Sequence, residues 1–510
     1  MAGHRVIERA VVAVLCVMLS ASCAVGPQQA AASAPAPGIA WTSCDPPAAG
    51  LECGTLSVPL DWNRPDGERI DLAVLRHLAS RPQERIGSMF LNPGGPGQSG
   101  VQVVRDGADG FDVWGGGRFD VIGWDPRGTN ASSPVECFPT EQERAQFWDG
   151  VSIPSTTEQS QAYERRTVEL ARRCGEVSGN LLPHISTADT ARDLDVLRQA
   201  VGDEKLTYVG LSYGTMIGQT YASMFPDRVR AMMLDGIIDP VRTTAGAEER
   251  TANDVAYADE VFGKFLELCA AAGPARCALA GHDEPVDQRA ARVFAEAQRA
   301  PIPAPDADPP GELSHGDLLL STFTPLRLPE TWPQFAADLE AAANGDASAL
   351  ETAARQMSTP EAFAASTTSS AISCLDGPAQ RPVADWPAVI DDLSGSSMLW
   401  GPVLGWWLWA PCASGWPAQS TDRYTGPWDA TTENPILLVN ARYDPATGYG
   451  NARAVEQRLG NAVLLTMDGY GHPSYQDPSA CLEQARTRYL VDLATPPPGT
   501  VCAPDGVPFP

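Results

Sequence analysis

Gly210-Leu211-Ser212-Tyr213-Gly214 places a hydroxyl between two glycines, a pattern that suits a serine nucleophile. The apolar run Leu206 to Val209 precedes it and an apolar-periodic segment, Met216 to Phe225, follows, so Ser212 falls on a sharp strand-to-helix turn. Neighbours without side chains are needed there, because a Cβ would strike the adjacent backbone. A serine hydroxyl is a weak nucleophile at neutral pH and needs a base to take its proton and an acid to orient that base. On a strand-turn-helix scaffold the order is Ser, then Asp or Glu, then His. His77 and His184 precede Ser212, and His282 and His315 lie in a long helical stretch; His472, in Gly469-Tyr-Gly-His472-Pro, follows the last strand-like runs and is the expected base. Asp444, just beyond the penultimate run, is the expected acid, with Asp239 as the fallback and Asp468 too close to His472. Thr447 reads as a cap for the helix after Asp444 that also steadies the acid loop.

Acyl transfer also needs two backbone N–H groups aimed at the developing oxyanion. Tyr213, the residue after the nucleophile, supplies one; the loop Leu91-Asn92-Pro93-Gly94-Gly95-Pro96-Gly97 supplies the other, from Gly95 or Gly94. Asp125 and Arg127 in Trp124-Asp-Pro-Arg-Gly128 read as a turn stabilised by its own ion pair. Trp400, Trp406, Trp407 and Trp409 read either as an apolar lining or as packing.

These residues need a rigid frame. Strand-like runs cover Ile70 to His77, Ser88 to Leu91, Phe119 to Trp124, Leu206 to Val209 and Val229 to Ile237. Helical patterns cover Glu158 to Arg173, Thr187 to Val201 and Tyr213 to Phe225. After Asp239-Pro240 the rhythm becomes helical (Thr251 to Ala270, Pro285 to Arg299, Pro329 to Ala343) with a Pro-rich loop at Ala300 to Pro310, until Pro435 to Asn440 and Ala462 to Thr466 restore strands. The fold class is α/β: a mostly parallel sheet flanked by helices, with a large helical cap insertion. The expected segments are 1–40, a signal peptide and flexible spacer; 41–240, the first part of the core; 241–430, the cap or lid; and 431–510, the second part of the core.

Arg5 and Arg9, the apolar run Ala10 to Leu19 and small residues around Ser22-Cys23-Ala24 have the anatomy of an export signal. A lipid on Cys23 would tether the chain to a membrane, although Ser20 stands where an aliphatic residue is usual. Beyond the leader the cysteines suit disulfides, and pairing near neighbours gives Cys44 with Cys53, Cys137 with Cys174, Cys269 with Cys277, Cys374 with Cys412, and Cys481 with Cys502. The formal net charge of −27 argues against a nucleic-acid partner, which requires a basic surface. No zinc-like cysteine spacing, H-E-x-x-H or G-x-x-x-x-G-K run occurs, so no metal or cofactor is expected.

Asn92-Pro-Gly-Gly-Pro-Gly97, Gly123-Trp-Asp-Pro-Arg-Gly128, Gly210-Leu-Ser-Tyr-Gly-Thr215 and the Asp444 and His472 loops together resemble the secreted actinobacterial tripeptidyl aminopeptidases, relatives of the proline iminopeptidases with an α/β-hydrolase fold. The resemblance covers about residues 41–505 and includes Cys374-Leu-Asp376 and Trp409-Ala-Pro-Cys412. Two departures are Asn130-Ala-Ser, where relatives commonly continue Gly-x-Ser, and Asn440-Ala-Arg442 before the acid. It implies an exported serine peptidase that releases short peptides, tripeptides among them, from free N-termini through an acyl-enzyme on Ser212. Recognising a protonated amine requires a carboxylate near the site, and Asp376 is the candidate. An exported carboxylesterase or lipase uses the same residues and is the alternative; a non-catalytic envelope binding protein is a further reading.

Overall fold

The protein is described by a computed structural model covering residues 38–420 and 422–510. The expected signal peptide, Cys16, Cys23 and nearly all of the spacer lie outside the described residues. The described residues form twelve strands: β1 Thr42–Ser43, β2 Leu51–Pro59, β3 Arg69–His77, β4 Gly87–Asn92, β5 Phe119–Trp124, β6 Leu206–Leu211, β7 Val229–Asp235, β8 Ile302–Ala304, β9 Gly311–Leu313, β10 Ile436–Tyr443, β11 Ala462–Tyr470 and β12 Val501–Cys502. Ten form one sheet in the order β1-β2-β3-β5-β4-β6-β7-β10-β11-β12. β1, β2 and β3 meet their neighbours antiparallel, and every pairing from β5 to β12 is parallel. Strands β4, β5 and β6 are buried along their whole length because helices cover both faces, and this is why they read as unbroken apolar runs.

The elbow follows from this topology. β6 is flanked by β4 and β7, and the next helix, Gly214–Met224, is almost entirely buried. The loop after β4 therefore lies beside the loop after β6, at the carboxyl ends of parallel strands where α/β sheets carry their sites.

Several elements differ from the sequence expectation. β2 was not foreseen, because Leu51-Glu-Cys-Gly-Thr-Leu-Ser-Val-Pro mixes apolar residues with Gly and Pro, which weaken a strand signal. The helix expected over Thr251 to Ala270 is two, Ala247–Val255 and Ala258–Ala272, and Tyr257 at the break packs its ring against Gly448. The Pro-rich loop carries the β8–β9 hairpin inside an otherwise helical stretch between β7 and β10. That stretch contributes most of its own apolar cluster, with Trp332, Trp386, Trp400, Trp406 and Trp409 buried, whereas Phe363, Ala371, Ile372 and Leu375 of helix Pro360–Asp376 join the cluster around Tyr213 and Met216 on the sheet. Helix Pro360–Asp376 thus straddles lid and core.

Five disulfides join Cys44 to Cys53, Cys137 to Cys174, Cys269 to Cys277, Cys374 to Cys412 and Cys481 to Cys502. Among the described residues no helix is long and apolar enough to cross a membrane.

The expected ion pair between Asp125 and Arg127 does not form. Arg127 is fully buried and pairs bidentately with Asp193, both contacts 2.6 Å, while its remaining N–H groups donate to the carbonyls of Pro59, Leu60 and His184. Asp125 accepts instead from the Ser99 hydroxyl (2.6 Å) and the amides of Val101 and Ala131. The planar guanidinium matches five acceptors spread over three segments, which adjacent Asp125 cannot offer. Arg127→Met leaves Asp193 buried without its counter-charge and is expected to cost about 3–5 kcal/mol, measured as a lower denaturant midpoint at unchanged slope.

Candidate active site

Three side chains from three loops meet above the sheet. Ser212 stands at the turn between β6 and helix Gly214–Met224 with φ +54°, and its N–H donates to the Asp235 carbonyl at the end of β7 (2.8 Å). Ser212 Oγ lies 2.8 Å from His472 Nε2, and His472 Nδ1 lies 2.8 Å from Asp444 Oδ2. Carboxylate oxygens only accept, so Nδ1 carries the proton and Nε2 offers its lone pair to the serine hydroxyl.

Each member is held from outside the trio. Asp444 Oδ1 accepts the amides of Ala446 and Thr447 (both 2.8 Å), and the Thr447 hydroxyl donates to Oδ2 (2.8 Å) while lying 3.1 Å from His472 Nδ1. Thr447 does not cap the following helix, Tyr449–Arg458, whose N-cap is Gly448; its side chain is taken up by Asp444. The His472 N–H donates to the carbonyl of Arg327, a lid residue (2.9 Å). Ser474, two residues on, donates through its N–H (3.0 Å) and hydroxyl (2.8 Å) to the Asp235 carboxylate. Asp235 therefore grips the nucleophile loop with its carbonyl and the histidine loop with its side chain. Gly236, at φ +75°, lies flat against the imidazole: a Cβ there would sit 2.9 Å from His472 Cε1.

The glycine loop closes the site from β4. Gly94 has φ +102°, and a Cβ on it would lie 2.6 Å from the Leu211 carbonyl oxygen and 2.9 Å from the Tyr213 amide nitrogen. Its own N–H donates to Asn92 Oδ1 (3.0 Å). Among the described residues the amides of Gly95 and Tyr213 donate to no protein acceptor. Of the two glycines considered from sequence, Gly95 is thus the one with an N–H to spare. Asn130, one of the departures from the family pattern, donates its side-chain amide to the Gly97 carbonyl (2.9 Å) and braces this loop from the β5 side.

The other sequence candidates lie apart from the trio. Asp239 pairs with Arg458 (2.9 Å) and accepts the Val241 amide, and Asp468 pairs with Arg442. Asp376 is buried, 3% exposed, and both its oxygens accept from Thr187, one from the N–H (3.0 Å) and one from the hydroxyl. It is therefore not presented to a ligand as the sequence reading required. Burial pushes its carboxyl up to about 6, against the Thr187 hydrogen bonds and the Arg250 charge. Trp400, Trp406 and Trp409 are packing residues of the lid, whereas Trp407 is half-buried and meets Phe323 edge-on.

The sequence reading missed Asp254. It sits near the end of helix Ala247–Val255, one turn after Arg250, whose guanidinium lies 4.0 Å over the Trp409 ring. Arg250 Nε stops 3.6 Å from Asp254 Oδ2, and the Asp254 side chain keeps 21% exposure. Burial pushes this carboxyl up to about 6, and Arg250, Asn253 and the imidazole of His472 act against that. An acidic residue on a lid helix carries no motif, so nothing in the sequence singles it out. Among the described residues no three His, Cys, Asp or Glu side chains cluster as a metal site.

A mostly parallel sheet carrying this serine, aspartate and histidine on the loops after β6, β10 and β11 defines an α/β hydrolase. Residues 87–271 match the family model described as alpha/beta hydrolase fold, and residues 397–502 match the model described as TAP-like protein. The chain is 32% identical to serine protease Hip1 of Mycobacterium tuberculosis strain H37Rv over 491 residues, 91% of each chain. It is 31% identical over 507 residues to the tripeptidyl aminopeptidase of Streptomyces lividans, covering 94% of this chain and 89% of that one. It is also 32% identical over 500 residues to carboxylesterase B of M. tuberculosis H37Rv, covering 92% of this chain and 91% of that one. The chain belongs to the TAP-like family of α/β hydrolases.

Gly94→Ala forces either the glycine loop or the elbow to retreat. It is expected to lower kcat at least a hundredfold, as misplacements of about 1 Å do, with far-ultraviolet circular dichroism unchanged.

Proposed function

We propose that the protein is an exported serine aminopeptidase that releases short peptides, tripeptides among them, from substrates with a free N-terminus. The observation that carries the chemistry is the continuous line from Ser212 Oγ through His472 to Asp444, with the Tyr213 and Gly95 amides open beside it. Ser212 Oγ attacks the scissile carbonyl while His472 Nε2 takes its proton, and the Tyr213 and Gly95 N–H groups receive the oxyanion. The imidazolium then protonates the leaving amine, leaving an acyl-enzyme. Water repeats the sequence and restores the serine. Asp444 orients His472 and balances the imidazolium charge.

Peptide rather than ester specificity is supported by two of the relatives' names, and it calls for a carboxylate to meet the substrate's ammonium. Asp254 fits that task better than Asp376: its side chain keeps 21% exposure and is held by a 3.6 Å ion pair to Arg250. The five disulfides and the leader support a location outside the cytoplasm, where such substrates are met. A lipid on Cys23 is a further part of this proposal, tested by metabolic labelling with a fatty-acid analogue in wild type and Cys23→Ser.

The test compares a fluorogenic free-amine tripeptide amide, its N-acetylated twin and a short acyl ester, with wild type and Ser212→Ala. The reading expects Ser212-dependent cleavage of the free-amine peptide in strong preference to the acetylated one; ester turnover with no peptide turnover makes the protein an esterase. Asp444→Asn is expected to lower kcat about 10³–10⁴-fold by favouring the wrong imidazole tautomer. The pH profile offers a separate check. Burial raises the Asp254 carboxyl to about 6, so below that pH the free-amine reaction loses the ionised Asp254, which the ester reaction does not need. The ratio of kcat/KM for peptide to that for ester should therefore fall as the pH drops through about 6; an unchanged ratio removes Asp254 from amine recognition.

A further inference from the structure

Asp376 ends the lid helix Pro360–Asp376, yet its carboxylate belongs to the core. It accepts the N–H and hydroxyl of Thr187, the first residue of helix Thr187–Ala200, and the Thr187 hydroxyl also meets the phenol of Tyr213. Thr187, Tyr213 and Asp376 are all at least 97% buried. An ionised carboxylate has no proton to give, so the Thr187 hydroxyl donates to Asp376 and the phenol must donate to Thr187. Donation thus runs one way, from Tyr213 through Thr187 to Asp376. The Asp376 main chain is fixed as well, its carbonyl accepting from Arg423 Nη1 (2.9 Å).

The start of this chain matters because Tyr213 has two ends. Its amide is one of the two open N–H groups beside Ser212, and its ring is buried in the apolar cluster that also holds Ile185 and Met216 of the core and Ile372 and Leu375 of the lid helix. The tyrosine is the N-cap of helix Gly214–Met224 and makes no side-chain cap bond there, so its hydroxyl is directed entirely to Thr187. Charge-assisted hydrogen bonds in a water-free interior are short and directional. An oxyanion hole is effective only when its donors are aimed before the charge develops.

We propose that Tyr213, Thr187 and Asp376 form a positioning chain for the oxyanion hole, through which docking of the lid helix fixes the aim of the Tyr213 amide. The inference rests on the reading of Ser212 as nucleophile and the Tyr213 amide as oxyanion donor. Thr187 and Asp376 touch no substrate; they are positioning residues that act through Tyr213. This gives Asp376 a task different from the amine recognition that the sequence suggested, and it explains why a carboxylate next to the Cys374–Cys412 bridge is turned away from solvent.

The test uses Thr187→Val, Tyr213→Phe, the double variant and Thr187→Ser, with rates taken per active serine counted by complete labelling with an organophosphonate. Each single variant is expected to lower kcat about tenfold, below the 10²–10³ lost when an oxyanion donor is removed outright, with KM within twofold on peptide and ester alike. The double variant should be no slower than the slower single variant, because both cut one chain. Thr187→Ser should restore most of the rate, and a peptide aldehyde, whose adduct places an oxyanion in the hole, should bind about tenfold more weakly to Thr187→Val. Unchanged kcat per active serine with only a lower melting temperature overturns the proposal, as do single losses that multiply in the double variant. Full turnover by Ser212→Ala would instead overturn the underlying assignment of the nucleophile.

Discussion

The left-handed backbone at Ser212 is the constraint around which the remaining structure is arranged. A non-glycine residue pays roughly 1–2 kcal/mol for that conformation, and here it is compensated by surroundings that leave no alternative. The Ser212 amide is tied to the Asp235 carbonyl, the glycine loop closes on the elbow from one side, and β7 supports it from the other. Asp235 then carries the constraint across the sheet, because its carboxylate holds the loop that delivers His472. A single residue at the end of one strand thereby sets the separation of nucleophile and base.

The lid is joined to this frame at points of chemical consequence. Arg327 offers its carbonyl to the His472 amide, Thr368 packs against Gly97 in the glycine loop, and Asp376 reaches Thr187 beneath Tyr213. These contacts address the base, the glycine loop and the elbow separately. The helical stretch therefore touches the frame at the loops that carry the reacting groups.

How much of this was legible in the sequence depends on whether a residue acts locally. Ser212, Asp444 and His472 could be picked out because each sits in a short loop after a strand-like run, and the structure brings those three together. The mostly parallel pairing follows from the same alternation of apolar runs and helices, whereas the strand order came only from the fold. Arg127 was misread because its partner, Asp193, belongs to another element, and no local rule connects Trp124-Asp-Pro-Arg with the interior of helix Thr187–Ala200. Asp376 and Asp254 show the same limit in opposite directions. The sequence marks the first by its neighbour Cys374, but packing buries it; nothing marks the second, and packing leaves its side chain 21% exposed. The lid hairpin escaped notice because its strands are three residues each and lie among prolines.

The disulfides are nested in nothing and cross nothing. Their partners are 9, 37, 8, 38 and 21 residues apart in chain order, and each bridge closes before the next begins. A chain entering an oxidising compartment from its N-terminus can therefore complete every bridge as its second cysteine arrives, without waiting for distant sequence and without a native pair that must form across another. The covalent framework thus closes one local segment at a time, while the long-range joining of β7 to β10 across the lid is left to packing alone.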